Sequence, residues 1–159
     1  MSVKVVRDQT RNALKALESL SATRVLIGIP SEENSREDGS PIGNAQLGYI
    51  HENGSPARNI PARPFLVPGV SKAEDACAEV LGKYAKVAFK DPSAIEKGLT
   101  AAGTLAVNSV KATIKSGEGF APLAAGTLAA RRRAGAQGTK PLIRTDQLLN
   151  SINFVLRKK

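Results

Sequence analysis

His51 is the chain's only histidine and Cys77 its only cysteine. Any Cys–His nucleophile pair would have to be built from these two. Cys77 shares an apolar stripe with Ala73, Val80, Leu81 and Tyr84 on a helix expected after Pro68, where a free cysteine behaves as a small buried hydrophobe. His51 sits between Ile50 and Glu52 near a helix end. A local hydrogen bond or an interaction with the helix dipole accounts for it more simply than general-base work. One Cys and one His do not assemble a zinc site without unusual carboxylate help.

Phosphate-cradling and acid–base motifs fare no better. Gly117-Glu118-Gly119 lacks the strand–loop–helix setting and the Lys-Ser/Thr ending of a P-loop. The pairs Glu32/Glu33 and Glu37/Asp38 fall in a polar stretch expected to be solvated, a poor setting for an acid–base pair or a Mg²⁺ site. The expectation is a chain without a catalytic site, cofactor or metal, and an enzyme ranks third among the function classes.

The second class is nucleic-acid binding. The formal charge of +9 is concentrated in residues 111–159, which hold ten Lys/Arg against two Asp/Glu. Arg131, Arg132 and Arg133, with Lys140, Arg144 and Arg157–Lys159, could meet phosphates in a sequence-independent, salt-sensitive way. Only 4% of residues are aromatic, with no Trp, so no stacking platform for single strands is present, and no helix-turn-helix pattern is visible. The arginine run reads equally as a solvated helix end or as part of an interface.

These residues must be positioned by a single domain over 1–159. Ala13, Leu14, Leu17 and Leu20 predict an amphipathic helix over residues 8–20. Arg24–Ile29 reads as a strand closed by Pro30, and 31–43 as a mobile loop. Asn44 is a candidate cap for a helix ended by Asn53-Gly54. The Pro-rich segment 55–68 reads as a stiff, extended arm delivering Phe65-Leu66-Val67 as a short strand or anchor. A long helix through Val87 follows Pro68. A second restarts after Asp91-Pro92, with Ser93 and Glu96 spaced as a capping box and Ile95, Leu99, Ala102, Ala106, Val110 and Ile114 on its buried stripe. Together they read as a helical hairpin with Gly98 and Gly103 as close-approach points. Beyond them come a short helix over 122–133, a flexible loop over 134–140, a helix over 147–151 capped by Thr145 or Asp146, and a half-buried strand from Ile152. The expected class is α+β: a small, mostly antiparallel sheet packed against a long helical hairpin, with extended loops. No apolar run approaches a signal peptide or a bilayer span, and the lone cysteine fits a reducing, cytosol-like compartment.

Two blocks carry a resemblance. Leu47-Gly48-Tyr49-Ile50-His51-Glu52-Asn53-Gly54 followed by Ile60-Pro61-Ala62-Arg63-Pro64-Phe65-Leu66 is similar to an "aliphatic-x-E-x-G…IPARPFL" signature. Pro122-Leu123, Thr127-Leu128, Arg132, Lys140–Thr145, Leu148 and Ser151-Ile152 resemble a "PL…TL…R…KPLI-x-T-x-x-L…SI" block. Both belong to the virion-morphogenesis and tail-completion proteins of tailed bacteriophages, and with the Val25–Ile29 strand the likeness spans about residues 24–156. The resemblance implies a structural protein of the phage neck, in the virion and, during assembly, in the host cytoplasm. It also implies a ring of six or twelve copies, contacting head-connector or tail-terminator and tail-tube proteins. Non-specific contact with passing DNA and no membrane contact are expected. Arg58, Arg63, Phe65, Arg131, Arg132, Arg133 and Arg144 are the candidate interface residues, although Arg63 and Phe65 could equally pin the arm onto their own domain. The family often carries an acidic residue or Gly where Arg144 and Gln147 stand, so the local charge departs from its pattern.

Overall fold

The computed structural model describes residues 10–37, 39–136 and 138–159; Asp38 and residues 8–9 of the expected first helix lie outside them. In chain order the elements are α1 (Thr10–Ala22), β1 (Thr23–Gly28), α2 (Asn44–Asn53), α3 (Leu66–Lys72), α4 (Glu74–Ala88), α5 (Ala94–Ser116), α6 (Ala125–Arg133), α7 (Gln147–Ser151) and β2 (Asn153–Lys158). Single turns of 3₁₀ helix occur at Ser31–Glu33 and Pro56–Arg58. The architecture is α+β: β1 and β2 pair antiparallel, Thr23 opposite Lys158 and Gly28 opposite Asn153, and the sheet packs on α5.

The expected stripe of α5 is buried along its whole length, from Ile95 through Val110 and Ile114. This helix runs through both halves of the core. Val107, Val110 and Ile114 join Phe65, Leu149 and Ile152, while Ala94, Ile95 and Leu99 join Ala16 and Ala88. The hairpin of α4 and α5 closes tightly at Gly98, where a Cβ would stand 2.7 Å from Tyr84 Cβ. Gly103 makes the second close approach, against Phe154 of β2. Gly98 thus serves the hairpin as the sequence suggested, whereas Gly103 admits the sheet rather than the partner helix.

Five local expectations are corrected. The run Phe65-Leu66-Val67 is not a strand: Leu66 opens α3, because the Glu52 carboxylate accepts hydrogen bonds from the backbone N–H groups of Phe65 (2.7 Å), Leu66 (2.8 Å) and Val67 (3.0 Å). These are the donors a helix start leaves without partners, and Pro68, in the first turn, has none to lose. The helix after Pro68 is two helices, broken at Ala73. The Ser93–Glu96 capping box is not formed: Asp91 accepts from both the backbone N–H and the hydroxyl of Ser93. Asn44 does not cap α2 with its side chain. That bond comes from Asn34, whose Oδ1 accepts the Ala45 N–H at 2.8 Å. Finally, Leu14 and Leu17 are 56% and 62% exposed, and α1 buries the small Ala16 instead.

Specific hydrogen bonds tie the loops to the helices. Buried Asn44 donates through Nδ2 to Glu33 O and Ser35 O and accepts from Arg36 Nη1, which gathers 31–37 around the start of α2. Ser55 and Ile60 exchange backbone hydrogen bonds and close the first half of the arm into a compact loop. The second half runs extended against α2, with the Arg63 N–H donating to His51 O at 2.7 Å. Among the described residues no helix is long and apolar enough to cross a membrane.

Candidate functional site

Arg63 of the first sequence block and Arg144 of the second meet on one cleft of about 520 Å³. Its walls come from α2, the extended half of the arm, the segment leading into α6, and residues 142–148. Two arginine side chains tie parts of this lining together. Arg63 donates from Nε to Ala121 O (2.7 Å) and from Nη2 to Pro122 O (2.9 Å), tying the arm to the lead-in of α6. Arg131 donates from Nη1 to the carbonyls of Gly138 (2.9 Å), Lys140 (3.0 Å) and Ile143 (2.9 Å). One guanidinium nitrogen thus holds the carbonyls of residues 138, 140 and 143 together.

Arg131 is free to turn inward because α6 satisfies its own end. Gly135, at φ 75°, donates to Arg132 O and Ala136 donates to Arg131 O, a Schellman arrangement. The arginine run is therefore not needed to cap the helix. It divides instead: Arg131 is 9% exposed and faces the cleft, while Arg132 and Arg133 stay on the surface. Lys140 is engaged elsewhere, donating to Lys115 O at the end of α5 (2.8 Å).

Four arginines line the cleft: Arg36, Arg63, Arg131 and Arg144. Among the described residues the lining includes one carboxylate, Asp146. Arg63 (5% exposed) and Arg131 are held by backbone carbonyls, with no ion pair to a carboxylate among the described residues. The field is felt by neighbouring groups. Burial first, then Arg63 and Arg36, pushes the His51 pKa down to about 4, so the imidazole is neutral and adds no cation to the end of α2. Burial, then Arg144 and Arg63, also lowers the Arg131 pKa. Two buried polar atoms on the lining, His51 Nδ1 and Gln147 Oε1, lack hydrogen-bond partners.

Of the candidate interface residues, the cleft brings together Arg63, Arg131 and Arg144. Phe65 is 2% exposed and anchors the core, Arg58 is exposed on the arm's 3₁₀ turn, and Arg132 and Arg133 are exposed on α6. Sequence reasoning passed over Arg36 and Gln147 as partners in this site; no local spacing links them to Arg63 or Arg131. Cys77 does not line the cleft that contains His51. It is half-buried in the hairpin, its Sγ donating to Ala102 O (3.4 Å), and burial raises its pKa. Among the described residues no group of three His, Cys, Asp or Glu is placed to hold a metal ion. Chemically, the cleft offers cationic hydrogen-bond donors set among Leu47, Ile60, Leu123, Leu142 and Leu148. Comparison with known protein families, curated proteins and solved structures found no match.

Proposed function

We propose that this chain is a structural subunit of a tailed-phage neck, completing the tail or joining it to the head as one copy in an oligomeric ring. The observation that carries the reading is that the residues of the phage-like signature share one mechanical task. Glu52 starts α3, Arg63 ties the arm to the second block, and Phe65 anchors that arm in the core. Large apolar side chains left on the surface favour a subunit that finishes its burial against neighbours: Tyr49 is 71% exposed and Val67 64%, on either side of a groove between α2 and α3. Head-connector, tail-terminator or tail-tube proteins are the partners this reading calls for.

The second reading is a basic module acting on DNA in packaging or at the neck. It is favoured by the exposed Arg132, Arg133, Arg157, Lys158 and Lys159. Native mass spectrometry at low and moderate salt, with and without duplex DNA, separates the two. Closed rings, or monomers that ignore DNA and assemble on a tail or connector partner, support the neck reading. Stoichiometric DNA binding that fades steeply with salt supports the other.

A further inference from the structure

We propose that the arginine-lined cleft is a docking site for an acidic segment of a partner protein, taking a carboxylate that neighbours an apolar side chain. Arg63 and Arg131 are buried cations whose described partners are neutral carbonyls, and a buried charge without a counter-charge is a standing cost that an incoming anion relieves. Arg36, Arg144 and Asp146 line the same cleft. The polar atoms His51 Nδ1 and Gln147 Oε1 lie buried on the same lining without hydrogen-bond partners. Such atoms are expensive to leave unsatisfied and mark a place where a polar ligand would complete the network.

The shape selects peptide over nucleic acid. Arg63 and Arg131 are 5% and 9% exposed, too recessed for the phosphates of a duplex lying across the surface. A carboxylate on a flexible aspartate or glutamate stem can enter, and guanidinium groups accept it with charge-assisted hydrogen bonds. Leu47, Ile60, Leu123, Leu142 and Leu148 give an adjacent side chain an apolar seat that a sugar–phosphate backbone would not use. The cleft's chemistry is independent of the neck assignment, and so is its test.

The intact chain would be titrated with a short fluorescein-labelled peptide of alternating leucine and glutamate. A glutamine-for-glutamate version and a short duplex DNA are the comparisons. Fluorescence polarisation reads affinity, and the NMR resonances of the His51 imidazole report the location. Saturable binding that moves His51, with affinity about tenfold weaker for the glutamine peptide, is expected. Arg144→Glu, and separately Thr127→Glu on the cleft lining, are each expected to weaken binding by a similar factor. Because Arg63 and Arg131 also hold the fold together, they are left intact. Equal affinity for the two peptides, no saturable binding, or affinity unchanged in both variants would overturn the proposal. DNA that displaces the peptide and moves His51 would reassign the cleft to phosphate. His51 shifts caused by protein concentration alone would assign it to a second copy.

Discussion

Gly103 of α5 lies against the ring of Phe154 on β2, so close that a Cβ built on the glycine would stand 2.5 Å from Cδ2. The sheet consequently rests on the bare backbone of α5, and Phe154 packs against the core cluster that contains Val107 and Val110. Gly103→Ala would force the ring or the strand outward. Overpacking of this kind costs about 1–3 kcal/mol, more than the ~1 kcal/mol gained from replacing glycine within a helix. Gly82, exposed on α4 with nothing within 4 Å of its virtual Cβ, is the control. Urea unfolding should show Gly103→Ala destabilised and Gly82→Ala stabilised, opposite signs for the same chemical change.

Glu52 and the start of α3 supply a second prediction. Its carboxylate serves three consecutive backbone N–H groups, so Glu52→Ala strands donors that are partly shielded from water. A loss of about 1–3 kcal/mol is expected. Glu52→Gln keeps one acceptor oxygen and should lose less. Amide hydrogen exchange of Leu66 and Val67 should speed up in the alanine variant ahead of the α5 core.

His51 makes stability fall as the solution is acidified. Its pKa is about 4 in the folded chain against 6.5 for the ordinary side chain, so the unfolded chain binds the proton first. Stability therefore rises with pH across that window, and folding loses free energy steadily from about pH 6.5 down to about pH 4. In His51→Gln the slope between these limits should flatten, which thermal melts in a pH series would detect. An unchanged slope would mean that the imidazole is not held neutral by its burial and by Arg63 and Arg36.

Much of the scaffold is legible in the sequence because periodicity reports which residues share a face. The α5 stripe, the hairpin with its close approach at Gly98, and both strands follow from spacing and side-chain size alone. Periodicity does not report whether anything covers the face, and so the leucine stripe of α1 reads as buried while Leu14 and Leu17 are exposed. Phe65-Leu66-Val67 has the composition of a strand, and only a carboxylate thirteen residues earlier turns it into a helix start. The cleft is the least legible feature. An arginine's letter is the same whether it is solvated, like Arg132, or buried, like Arg131. The bonds that decide between these fates cross 58 residues for Arg63 and pass through loop carbonyls for Arg131.

Arg24 and Arg157 face each other across the two strands, both exposed. Like charges directly opposite in an antiparallel pair repel, and opposite charges at such positions stabilise by about 0.2–1 kcal/mol. The next pair on that outward face is Leu26 with Val155, each about two-fifths exposed, so the face combines like charges with uncovered apolar surface. Arg157→Glu should raise the urea midpoint at low salt, and the gain should shrink as ionic strength shortens the screening length. If the variant is also less able to form rings or to bind an assembly partner, the repulsive pair is kept for that contact rather than for the fold. A more stable variant that assembles normally would instead assign Arg24 and Arg157 no role beyond the surface of the sheet.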